Sequence, residues 1–191
     1  MIIQKLFEKA TSAISEIHSC DPSFSLYNGE NIPSERLYSE RMLMVLNEFE
    51  PDSDYILQLA IQCQHFERWK VARDLFSMDR KGYHQWRNAV MDYQLSRTTE
   101  VLKNAGIDNA DIAEITDTLS KQGNKSYEKA QIVQDVACIV FVKWYLEPFA
   151  AKHEIEKVKD IIAKTTRKIS QKGLQALQQT TISEAVQILL Q

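Results

Sequence analysis

An all-α, multi-helix fold is the class this sequence predicts, on three observations. Turn formers are scarce: the 191 residues include 5 Gly and 4 Pro, too few for the many reversals of an all-β chain. Apolar residues recur at helical spacing, as in Ile3, Leu6, Phe7, Ala10, Ile14 and Ile17, which gives a helix one buried stripe. No segment sustains period-two alternation between tight hairpin turns. Length and composition (44% hydrophobic, 26% charged) suit one folded domain over residues 1–191. Its core is expected over about 34–170, with helices over 2–18 and 181–190 packed on it.

Residues 2–18 form the first helix. Asp21 to Pro33 holds Asp-Pro, Asn-Gly and a second Pro, and reads as a loop. Ser34 is the expected N-cap of a helix through about Phe49. Pro51, Asp52, Ser53 and Asp54 stop that helix and cap the next, which runs from Tyr55 to about Lys70. Ile56, Leu57, Leu59, Ala60 and Ile61 make it apolar on several sides, hence central. Val71 to Gly82 is a turn-bearing connection. A helix follows through about Asn104, closed by Ala105-Gly106. Asp108 or Asn109 starts a shorter helix ending near Lys121, and Gln122-Gly123-Asn124 is a turn. Tyr127 to Ala151 is the most apolar helix, kinked or ended by Pro148. Charges interrupt it too often for a membrane span. Glu154 to Gln171 is a basic amphipathic helix and Thr181 to Leu190 a short last one, with a loosely packed Gln-rich stretch between.

The net charge of -3 gives no reason to expect strong non-specific nucleic-acid binding, although a local basic patch is compatible with it. Cys20, Cys63 and Cys138 are odd in number, widely spaced and form no C-x-x-C pair. They read as reduced thiols, and Cys63 and Cys138 as core fillers. The amphipathic, partly acidic N-terminus is neither a secretory signal nor a span. A cytoplasmic protein is the expectation.

Gln62 to Arg87 concentrates His65, Arg68, Trp69, Arg73, Arg80, Tyr83, His84, Trp86 and Arg87. Guanidinium forks and indole rings grip phosphates and flat rings. His65, Arg68 and Trp69 share a helix face at spacings of three and four, with Gln64 one position round. Cations buried without an anion are costly, so they must face carboxylates or a bound anion. Asp135 interrupts the apolar run IVQDVACIVF, and Glu40 and Arg41 lie mid-helix beside Met42 and Leu43. Glu40, Asp135, His65 and the arginines are expected to meet, as a functional site or as a bracing network. Glu67, Asp74 and Asp79 read as local, solvated charges. Lys164 and Lys168 share one face of the basic helix, a solvated face matched to its dipole or an added phosphate contact. The sequence contains no Gly-rich phosphate loop, no nucleophile elbow and no Cys/His quartet at zinc spacing.

The segments YSERM, QHFERW, DRKGYHQWR, QDVACIVFVKWYLEPFAAKH and KTTRKIS resemble the helical family known as domain of unknown function 4202, over nearly the whole chain. That family supplies no reaction. Its helical plan, and a helix His followed by a late Asp, also look like the His-Asp (HD) phosphohydrolase superfamily. The HD likeness implies an HD-domain-like bundle and a divalent metal held by His65 and Asp135. Glu40 would stand where the superfamily has an early His. The adjacent His-Asp pair is absent, since Phe66 follows His65. The remaining ligands suit Mg or Mn, with waters completing the shell.

Three functions follow. The first is a metal-assisted phosphohydrolase, or related phosphoryl-chemistry enzyme, on a nucleotide-like substrate. His65, Asp135 and Glu40 would be catalytic. Arg41, Arg68, Arg73, Arg80, Arg87, Lys164 and Lys168 would hold phosphates, and Trp69, Tyr83 or Trp86 would stack on the base. The second is a non-catalytic module binding a phosphorylated small molecule, a nucleotide or an RNA end through the same pocket. The third is a helical protein-interaction domain whose Arg/Trp segment is its contact surface.

Overall fold

The structure, a computed structural model, describes residues 2–121 and 127–190. The turn expected at Gln122-Gly123-Asn124 lies outside the described residues. Helices α1 (Ile2–His18), α2 (Ser34–Phe49), α3 (Tyr55–Gln62), α4 (Arg80–Ala105), α5 (Asn109–Ser120) and α6 (Tyr127–Val140) build the main layer. The all-α expectation holds. The shortest of these, α3, is central: it packs against α1, α2, α5 and α6. Leu59, Ala60 and Ile61 are completely buried there. Asp54 caps α3 through Leu57 N–H, Asp79 caps α4 through Gly82 N–H, and Asp108 caps α5 through Ala110 N–H.

Four elements depart from the sequence expectation. Within the segment expected to be a loop, residues 24–33 form an antiparallel hairpin of β1 (Phe24–Tyr27) and β2 (Glu30–Pro33). Asn28 and Gly29 both take positive φ, 51° and 84°. That two-residue turn has the twist flanking strands need. The Asn-Gly signal is present in the sequence, but four-residue strands are too short to display alternation.

The central helix stops at Gln62 rather than Lys70, because His65 and Glu67 adopt positive φ (69° and 51°). Tertiary partners take over the backbone groups this break exposes. His18 Nε2 donates to the Gln62 carbonyl at 2.8 Å, and Gln94 Nε2 donates to the Cys63 carbonyl at 2.7 Å. Glu67, expected to be solvated, is buried and accepts from Arg97 Nε at 2.6 Å. Burial pushes the Cys63 thiol up to about 12, which suits a core filler.

The long apolar helix widens into one π turn at 141–145 and resumes as α7 (Leu146–Ala150). Pro148 sits in α7 without a backbone N–H to donate back to the turn before it, which favours local widening. The chain closes with α8 (Ile155–Thr166), α9 (Gln171–Gln179) and α10 (Glu184–Leu189).

The Gln-rich stretch is not loose. It forms α9, which packs on α6. A Cβ on Gly173 would lie 2.7 Å from Ile169 Cγ1 and 2.8 Å from Asp135 Cγ. Gly173→Ala is therefore expected to destabilise the protein by about 1–3 kcal/mol, read as a lower thermal midpoint. No helix among the described residues is long and apolar enough to cross a membrane.

Candidate functional site

The break after α3 aims its side chains into a cavity of about 90 Å³ lined by Gln64, His65, Arg68, Trp86, Arg87, Gln94 and apolar neighbours. Tyr38, on α2, forms the support. Its ring stacks on His65 at 4.7 Å and 15°, and its hydroxyl donates to Gln64 Oε1 at 2.7 Å. Arg68 Nη1 lies 3.2 Å from His65 Nε2. A guanidinium has no lone pair, so Nε2 must accept and the imidazole is the neutral, Nδ1-protonated tautomer. Burial, with the charges of Arg68 and Arg87, pushes the His65 pKa down to about 3, in accord with that assignment. The Arg68 guanidinium also lies over the Trp86 ring at 4.7 Å.

Two arginines line this cavity, and two lysines lie in electrostatic range of Arg87 or of each other. Arg87 lines it from α4. At the C-cap of α5, Lys121 takes φ 60° and donates to Gln134. Partial burial of its ammonium lowers the Lys121 pKa, as do the charges of Lys168 and Arg87. Lys168 follows the end of α8, and its carbonyl accepts from Gln131 on α6 at 3.0 Å. Among the described residues, none of Arg68, Arg87, Lys121 and Lys168 forms an ion pair with a carboxylate. Other cations are paired, among them Lys129 with Asp54 and Glu114, Lys172 with Glu50, and Arg97 with Glu67 and Glu100.

Beside Tyr38 lies a carboxyl that the sequence reading missed. Glu35, in the first turn of α2, has a buried Oε2 with no hydrogen-bond partner among the described residues. Burial, together with the neighbouring Asp21 carboxylate, pushes its pKa up to about 8, against the opposing pull of Arg68. Asp21 cannot move away, because its oxygens accept Ser23 N–H and Glu35 N–H, both at 2.9 Å. Glu35 and Tyr38 are three apart on one helix face, so their pairing was legible. Lys121 gave no signal, since its role depends on a left-handed helix cap.

The other expected site residues separate into groups. Arg41 sits against the rings of Tyr27, Trp144 and Tyr145 at 5.0–5.2 Å, and its buried Nε has no partner among the described residues. Trp86 is a buried pillar whose Nε1–H donates to the Val71 carbonyl at 2.9 Å. Its edge is therefore not offered to a base. Arg73 folds the 71–79 connection by donating to the carbonyls of Phe76 (3.0 Å) and Ser77 (2.9 Å). Arg80 and Tyr83 are exposed at the start of α4, and Trp69 is half-buried in the short turn Arg68–Lys70. Lys164 is exposed and pairs with Asp160 on its own helix.

Glu40 and Asp135 do not join His65. Glu40 is exposed and paired with Arg36 at 2.9 Å, because its position on α2 points away from Tyr38. Asp135 is buried, and its oxygens accept from Ser170 N–H, Ser170 Oγ and Gln131 Nε2. It thereby fastens α6 to the N-cap of α9. Asp135→Ala is expected to cost about 3 kcal/mol, since it strands those buried donors; a urea midpoint measures it.

These residues do not fit a divalent metal. Arg68 occupies the Nε2 lone pair of His65, both Asp135 oxygens are taken, and the surroundings are cationic. Among the described residues there is no group of three or more His, Cys, Asp or Glu side chains placed to hold a metal ion.

Fold and site thus define a helical protein with a small polar cavity lined by two arginines, Arg68 and Arg87, that form no ion pair among the described residues. The family model described as Domain of unknown function (DUF4202) matches residues 8–190, and the chain belongs to that family. No curated protein and no solved structure matches the chain.

Proposed function

We propose that this protein binds the phosphoryl group of a nucleotide-like ligand without a metal. One observation carries the reading: Arg68 and Arg87 line a polar cavity, Lys121 and Lys168 lie in electrostatic range of Arg87 or of each other, and no carboxylate among the described residues pairs with any of the four. Like charges placed near one another repel, and a bound anion relieves that repulsion. Arg68 is pre-oriented by His65 and Trp86, so little side-chain entropy is left to lose on binding. The neutral His65 adds no charge, and its Nδ1–H remains a donor for an oxyanion.

The test is a thermal melt with adenosine monophosphate in excess chelator. Ligand that binds only the folded chain raises its midpoint. Adenosine monophosphate is expected to raise the midpoint while adenosine does not; equal behaviour of the two contradicts the reading.

Glu35 favours one further reading, that of an enzyme. A neutral carboxyl within reach of Arg68 can protonate a leaving oxygen as its P–O bond breaks, with water as the attacking group. Slow, chelator-resistant hydrolysis of a phosphate monoester, abolished in Glu35→Gln, supports catalysis; no turnover leaves binding alone.

A further inference from the structure

Building on the phosphate-binding reading above, we propose that the ligand is the phosphorylated end of a single-stranded nucleic acid. Its terminal phosphate sits in the His65–Arg68 cavity, and the next nucleotides follow the exposed face of α4.

Cavity size is the first argument. The cavity measures about 90 Å³. That is far below the roughly 300–1,000 Å³ of a pocket enclosing a small-molecule ligand, and so suits a small group such as a phosphoryl. Whatever carries the phosphate must therefore continue outside.

The second argument is what lies along the way out. On α4, Gln94, Arg87 and Arg80 fall on one face at seven-residue spacing. Gln94 is at the cavity and Arg80 at the helix start. Tyr83 and His84 lie between the two arginines, about one turn of 5.4 Å from each. Arg80, Tyr83, His84 and Arg87 are all exposed. Cations alternating with an exposed ring are what a single strand needs, because phosphates are neutralised while bases stack.

Charge supports the same direction. From Arg68 to Arg87 the chain has six Lys or Arg (Arg68, Lys70, Arg73, Arg80, Lys81, Arg87) besides the neutral His65 just before it. Two Asp oppose them, Asp74 and Asp79. Asp79 is engaged by Gly82 N–H and Ser77 Oγ. The whole chain carries -3, so this basic segment is local. A phosphopeptide offers one dianion and would leave the arginines along α4 without a partner.

The experiment is fluorescence anisotropy with an oligoadenylate of about eight nucleotides, 5′-phosphorylated, against its unphosphorylated twin, adenosine monophosphate and a phosphoserine peptide. The phosphorylated strand is expected to bind about tenfold or more tighter than each of the others, and its affinity to fall as salt rises. Tyr83→Ala, at an exposed position, is expected to weaken strand binding about fivefold or more. Adenosine monophosphate matching the strand overturns this proposal and leaves the phosphate reading standing. So does a phosphopeptide that matches it. An unphosphorylated strand binding equally well, or unchanged affinity in Tyr83→Ala, also overturns the proposal. Failure of every phosphorylated probe to bind ends both readings.

Discussion

Arg68→Ala is expected to lower affinity for a nucleoside monophosphate by about 10- to 100-fold, the worth of charge-assisted hydrogen bonds from a held guanidinium. Arg68 is the cation best prepared for this role, donating to His65 and lying over Trp86. Arg87→Ala is expected to cost less, because Arg87 is exposed and its charge is screened. Titration calorimetry at two salt concentrations measures both. Urea unfolding of the same variants separates lost binding from lost fold. Full affinity in Arg68→Ala means that the guanidinium serves structure alone.

The second large effect concerns Glu35 and pH. Its folded pKa of about 8 stands well above the ordinary 4.5 of a glutamate. Between those values the folded chain holds a proton that the unfolded chain has released, so stability falls as pH rises. The decline starts near the unfolded pKa and is complete once pH exceeds about 8. Gln at this position keeps the shape and cannot ionise. Glu35→Gln is therefore expected to melt several degrees above the parent at alkaline pH, and the two curves should converge at acid pH. Parallel melting curves across that window would show that Glu35 ionises freely, reached by water.

The helices were largely legible because their signals are local: apolar stripes, Asp caps at Asp54, Asp79 and Asp108, and Gly106 closing α4. The site was legible only in part. The Gln62–Arg87 window does supply His65, Arg68 and Arg87 to one cavity. The break after Gln62 was hidden, since His65 and Glu67 take a left-handed backbone that neither residue type announces. Tertiary bonds from His18, Gln94 and Arg97 fix that break, and they come from residues about 30 to 44 positions away. Asp135 illustrates the converse. A carboxylate in an apolar run signals that it has a partner, but not whether that partner is a metal or the Ser170 cap. Lys164 and Lys168 looked equivalent by periodicity; α8 ends between them, so only Lys168 comes near Lys121.

The central claim is that unpaired cations around His65 form a phosphate site needing no metal. Calorimetric titration of adenosine monophosphate into chelator-treated protein tests it most directly. The expected result is saturable binding of one ligand per chain that weakens with ionic strength and is unchanged when Mg or Mn is restored. No binding, or binding only after the metal is returned, contradicts it.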